Sequence, residues 1–189
     1  MINLYKSEFS LLQQEIFKFL SMHAGVSFNA RDLAKSLHRT QAGIVKVLSG
    51  LEEKKLIKIK KDKYSGRWSI EFNQDSSKAT ELKRVENLRV LYESGLINFL
   101  EESFPGATII LFGSYSRGED VWSKEDEGHK SDVDIAIIGV SEKKVNLKKF
   151  EELLKREILI NFYPSFKEIH KNLKENLLNG ILFSGGIEL

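Results

Sequence analysis

"LFGSYSRGEDVWSKEDEGHKSDVDIAII" occupies residues 111–138. Its two ends are apolar and strand-like, and its middle is polar and loop-like. A Gly-Ser pair, Gly113-Ser114, follows the first strand. Two aspartates one residue apart, Asp132 and Asp134, open the second. Side chains at i and i+2 of a strand leave the same face, so the two carboxylates project side by side. Parallel carboxylates repel unless a cation lies between them. Hard cations take oxygen ligands, and Mg²⁺ commonly combines one or two carboxylates with substrate phosphates. A glycine after the first strand lets backbone approach a phosphate closely, and a serine hydroxyl donates to a phosphate oxygen. Strand, Gly-Ser, a helical turn with Arg117-Gly118, then a strand with Asp-x-Asp: the order suits a metal–triphosphate site where two adjacent strands end.

The sequence around this stretch reads as an α/β segment. "ATIILF" is an apolar strand buried on both faces, "SDVDIAIIG" a second, and "NLKKFEELLKRE" a helix. "ILINFYPS" is a third strand, "FKEIHKNLKENLLNG" a final helix and "ILFSGG" a short closing strand. Upstream, Leu82, Val85, Leu88, Leu91, Leu96, Phe99 and Leu100 mark a long amphipathic helix with a bend at Gly95. The polar run "NQDSSKAT" precedes it and reads as a boundary.

Before that boundary lie three helices and a hairpin. In the first helix Phe9, Leu12, Ile16, Phe19 and Leu20 share a stripe, with Ser7 as N-cap. The second is capped by Asn29, with Leu33 and Leu37 inward. The third is capped by Thr40, with Ile44, Val47, Leu48 and Leu51 inward. "LIKIKKD" and "GRWSIEF" alternate apolar and polar residues around the turn "KYSG". The expected domains are residues 1–73, a linking helix over 74–104, and residues 105–189.

Bulk properties narrow the function classes. The chain has 189 residues, 41% hydrophobic and 30% charged, with a net charge of +2. That fits a globular protein with a real core and no global field for nucleic acid, so any basic surface is local. The absence of cysteine excludes disulfides and thiolate metal sites. His23, His38, His129 and His170 share no metal-ligand spacing. No apolar run is long enough for a membrane, and no signal-peptide pattern opens the chain, so a cytoplasmic location without membrane contact is expected.

Two resemblances follow from these residues. Helix, helix, helix, hairpin over about residues 8–72 resembles the winged-helix DNA-binding family. "FGSYSRG" followed by "SDVDIAII" resembles the nucleotidyltransferase superfamily of DNA polymerase β, closest in style to its minimal members, over roughly residues 108–183. The fold class is then α+β: an N-terminal winged helix-turn-helix and a C-terminal nucleotidyltransferase core, joined by a long helix. The second resemblance implies divalent metals, Mg²⁺ or Mn²⁺, and transfer of a nucleoside monophosphate from an NTP to an acceptor by in-line displacement. It places Asp132 and Asp134 on metal and Gly113 and Ser114 on nucleotide. Arg117 and Lys130 are further candidates for the phosphates.

The superfamily's third carboxylate sits on the strand after the intervening helix. On "EILINFYPS" the best-matching position is Asn161, with Glu157 on the same face as an upstream substitute. An amide ligates metal weakly and cannot act as a general base. The catalytic set expected is therefore Asp132, Asp134, Glu157 and Asn161. The segment "EDVWSKEDEGHK" reads as an insertion, and a solvated loop is its plainer reading. In the N-terminal half Arg39, Gln41, Lys46, Lys60, Lys61, Lys63 and Arg67 are candidates for double-stranded DNA, although lysines on a hairpin edge also block edge pairing.

Three functions compete on these readings. One is a metal-dependent nucleotidyltransferase acting on an unknown acceptor. The second is a DNA-binding regulator with a degenerate transferase domain. The third is an antitoxin-like member paired with a small helical protein. The helix over 74–104 also offers a seam for a homodimer.

Overall fold

The computed structural model describes residues 9–62, 67–122 and 132–187. The chain divides into two units, Met1–Lys83 and Arg84–Leu189.

The first unit begins with α1 (Leu11–Met22). Its N-cap is Ser10: the hydroxyl accepts from the Gln13 amide at 3.2 Å, and the Gln13 side chain accepts from the Ser10 amide at 3.0 Å. The cap thus lies three residues beyond the expected Ser7, which lies outside the described residues. A two-residue strand β1 (Ser27–Phe28) precedes α2 (Ala30–Ser36) and α3 (Gln41–Glu53). Asn29 and Thr40 cap these helices through the amides of Asp32 and Gly43, at 2.9 and 3.1 Å.

The hairpin follows as β2 (Ile57–Lys61) and β3 (Trp68–Phe72), antiparallel, with Ile59 opposite Ile70. β1 adds to the other edge of β3, giving the order β1-β3-β2. Two residues are too few for an alternating pattern, so β1 had no signal in the sequence. Ile16, Leu20, Leu33, Ile44, Leu48, Leu51 and Ile70 are fully buried together, and Phe17 joins them. Leu37 and Val47, expected inside, are only half-buried. Three helices and a hairpin around one core make a winged helix-turn-helix.

α4 (Ser77–Ser94) carries the boundary between the units, which falls after Lys83. Gly95, at φ +77°, ends it, and α5 (Leu96–Ser103) follows. The expected single helix over 74–104 is therefore two. The buried residues of α4 are Ala79, Lys83, Asn87 and Leu91, at steps of four, whereas Val85 is 59% exposed. The expected stripe was rotated because two of the inward residues are polar.

The second unit continues with β4 (Thr108–Phe112), α6 (Gly113–Arg117), β5 (Val133–Ile138), α7 (Lys148–Leu154), β6 (Ile158–Tyr163), α8 (Lys171–Leu178) and β7 (Ile181–Ser184). The sheet order is β6-β5-β4-β7. β4 runs antiparallel to β5 and β7, and β5 is parallel to β6 across the connection that holds α7. One face buries Ile109, Leu111, Val133, Ile135 and Ile137 with Leu96, Leu100 and Phe104. The other buries Ile110, Phe112, Ala136 and Ile138 with Phe166, Ile169 and Leu177. Cover on both faces explains why these strands are apolar runs rather than alternating ones. The molecule is α+β, with a winged helix-turn-helix first and an α/β core second.

Candidate functional site

β4 ends at Phe112, and the partner of Phe112 across the ladder is Asp134. The next residue, Gly113, has φ +75°, a conformation that side-chain-bearing residues rarely adopt. A Cβ built there overlaps Asp134 Oδ2. Glycine is therefore required twice at this position, for the backbone turn and for the carboxylate lying against it. From Gly113 the chain enters the single turn of α6. Ser116 Oγ donates to the Gly113 carbonyl at 2.8 Å, and Gly118, at φ +74°, ends the turn. Ser114 sits half-buried in the first turn.

Asp132 and Asp134 are both half-buried at the start of β5. Burial, and then the neighbouring Asp132 charge, hold the Asp134 carboxyl above the usual carboxylate range. A pair in that condition is relieved by a proton or by a cation. The donor set, two carboxylates and a glycine turn open to phosphate, fits a divalent ion shared with phosphate oxygens. Among the described residues no three acidic or histidine side chains converge on one point as a ready cage.

The register of β6 sets which residues stand beside the aspartates. Asp134 stands opposite Leu159, and Ala136 opposite Asn161. The Val133 amide donates to the Glu157 carbonyl at 2.8 Å, which sets Glu157 beside Asp132 at the head of the strand. Asn161, the match expected from the sequence, thus lies one same-face step beyond the aspartates, and the residue facing Asp134 is apolar. Leu159 is 40% exposed. Arg117 is exposed, and its Nε donates to Glu119 Oε2 at 2.7 Å. Lys130 lies outside the described residues.

Residues 93–183 match the family model for a nucleotidyltransferase domain. The C-terminal unit carries a nucleotidyltransferase domain. Its match begins at the end of α4 and so takes in α5 as well as the sheet. No curated protein matches the chain. Among solved structures, the MepR–DNA complex of S. aureus shows 23% identity over 51% of this chain and 78% of that one, at a TM-score of 0.37. A mutant ZitR of Lactococcus lactis shows 21% identity over 55% and 70%, at 0.38.

Behind the glycine turn of the nucleotidyltransferase domain lies a buried polar cluster that the sequence did not disclose. Asn87 Nδ2 donates to the Tyr115 carbonyl at 3.0 Å and to Asp120 Oδ1 at 2.8 Å. Arg156 Nη2 pairs with Asp120 Oδ2 at 3.2 Å, with both side chains at least 95% buried. Removing one member of such a pair strands a buried charge and costs about 3–5 kcal/mol. Burial pushes the Tyr115 phenol up, the Asp120 charge adds to this, and Arg156 opposes it. Asn87, Asp120 and Arg156 are far apart in sequence and share no motif. The one available signal was a polar residue at a core position of α4.

In the winged helix the candidate cations are dispersed. Arg39 is held by Glu15 in a two-pronged pair, at 3.0 and 2.6 Å. Lys60 pairs with Glu71 at 3.3 Å across the hairpin. Lys46 and Lys61 are exposed, and Lys63 lies outside the described residues. Gln41 and Arg67 line one cavity of about 820 Å³ beside α2, α3 and β3, together with Arg31, Asp32, Lys35, Val45 and Trp68. Arg31 and Lys35 were missed by the sequence reading, although they lie four apart on α2 and so share a helix face.

Proposed function

We propose that the nucleotidyltransferase domain binds a nucleoside triphosphate together with a divalent ion, Mg²⁺ or Mn²⁺, and that the winged helix binds double-stranded DNA. The chain is then a DNA-binding regulator whose nucleotidyltransferase domain holds nucleotide and transfers little or none of it. The observation that carries this reading is the pairing of Asp134 with the apolar Leu159 across the β5–β6 ladder, which puts no carboxylate opposite it.

Asp132 and Asp134 hold the ion jointly with phosphate oxygens, and Gly113 and Ser114 present backbone and hydroxyl to the triphosphate. The ion, when bound, neutralises phosphate charge and polarises the phosphoryl group. An acceptor hydroxyl would still have to lose its proton, and a leucine offers neither a ligand nor a base. In the other unit Gln41 and Val45 would reach base edges, and Arg31, Lys35 and Arg67, which line the same cavity, would contact phosphates. Lys46 and Lys61 add exposed charge beside them. NTP and DNA as ligands imply a cytoplasmic site of action.

A second reading is an active transferase with Glu157 as the third ligand. It is favoured by the Val133–Glu157 hydrogen bond, which sets that residue beside Asp132. One experiment separates the two: incubation with labelled NTPs, Mg²⁺ or Mn²⁺, and a cell extract. On the leading reading the native chain transfers little label and Leu159→Asp transfers more. Strong transfer by the native chain, abolished by Glu157→Ala, selects the enzyme.

A further inference from the structure

We propose that Asn87, Asp120 and Arg156 are positioning residues that hold the Gly113-Ser114 turn in the pose nucleotide binding requires. The proposal rests on the NTP-binding reading above and extends it to residues that touch neither nucleotide nor ion.

α6 is a single turn of five residues, too short to be stable by its own hydrogen bonds. Its pose is set from outside. Asn87, on the long helix α4, donates to the carbonyl of Tyr115 in the middle of that turn. The same amide group donates to Asp120, the first buried residue after the Gly118 stop. Asp120 in turn takes Arg156, the residue immediately before Glu157 at the head of β6. Three elements are thereby tied at one point: the helix behind the site, the turn that meets phosphate, and the strand beside Asp134.

Burial alone does not call for such a group. Apolar residues of similar volume stabilise a core as well as a buried ion pair, or better. Directional hydrogen bonds instead fix where a backbone segment sits, and outer-shell groups of this kind hold first-contact groups in register. Gly113 needs that register, because its Cα already lies against the Asp134 carboxylate with no room for a methyl group.

The test uses the full-length chain. Mg²⁺–ATP, –GTP, –CTP and –UTP are titrated in turn into the native protein, into Asp120→Leu with Arg156→Met, and into Asn87→Ala. The double variant removes both charges together, and the single one leaves the ion pair in place. Each is also melted without ligand. We expect cooperative melting of the variants, with the NTP dissociation constant raised about tenfold or more. A folded double variant that binds NTP as the native chain does overturns the proposal. If the double variant does not melt cooperatively, Asn87→Ala decides by the same readout. The native titration comes first: no binding there strikes the NTP-binding reading and this proposal with it. Native binding with unchanged binding in folded variants strikes the positioning role alone.

Discussion

Replacing Gly113 by alanine tests the geometry of the site with an internal control. Two costs are built into this position. An alanine at φ +75° pays about 1–2 kcal/mol for the left-handed conformation. Its methyl group also overlaps Asp134 Oδ2 and forces that carboxylate to move, a packing conflict of about 1–3 kcal/mol. Gly95, at φ +77° with nothing within 4 Å of its built Cβ, carries the first cost alone. Gly95→Ala should therefore destabilise by about 1–2 kcal/mol and Gly113→Ala by about 2–5 kcal/mol. Urea unfolding measures both, provided the slope m is unchanged between variants. In an Asp134→Ala background the packing part should vanish, so the cycle yields a coupling energy of about 1–3 kcal/mol. Equal losses for Gly95→Ala and Gly113→Ala, with no coupling to Asp134, would refute the claim that the glycine turn and the carboxylate are in contact.

Other outcomes follow from the same structure. Because the Asp134 carboxyl titrates above its ordinary range in the folded state, folded protein holds that proton longer than unfolded protein. Metal-free stability should thus fall as pH rises from the usual aspartate range through the raised value. Asp134→Asn should remove that fall, and identical pH slopes in urea melts of both proteins would contradict it. Asp120→Ala alone should cost about 3–5 kcal/mol by stranding Arg156, and a loss under 1 kcal/mol in urea unfolding would show that Arg156 finds other partners. Double-stranded DNA should bind the full chain with a steep loss between roughly 50 and 200 mM salt, and Arg67→Ala should lessen the salt slope by about one. A gel shift indifferent to salt would turn attention from the cavity of Gln41 and Arg67 to another partner.

Much of this fold is legible in the sequence because it rests on local signals. Asn29 and Thr40 announce their helices, and the hairpin shows its alternation. The apolar runs of β4 and β5, with Gly113-Ser114 and Asp132-x-Asp134 at their ends, fix the site to adjacent strands. What stayed hidden depends on distant partners. Residues 157, 159 and 161 share one strand face, so period two cannot choose among them. Their register against β5 depends on how α7 and the left-handed turn at Lys155, φ +52°, deliver β6 alongside it. Arg39 looked like a free cation for DNA until Glu15, 24 positions earlier, was found beside it. The α4 stripe misled for the same reason: Lys83 and Asn87 face inward, and Asn87 does so because Asp120 and the Tyr115 carbonyl await it.

Calorimetric titration of Mg²⁺–NTP into the native chain and into Asp132→Ala with Asp134→Ala tests whether the aspartate pair holds a metal–nucleotide. Both aspartates lie half-buried at the open start of β5, so the variant should keep its fold, which a melt without ligand verifies. Saturable, metal-dependent binding by the native chain is expected, with its loss in the folded variant. Equal affinity in the two proteins, or no binding by either, would contradict it.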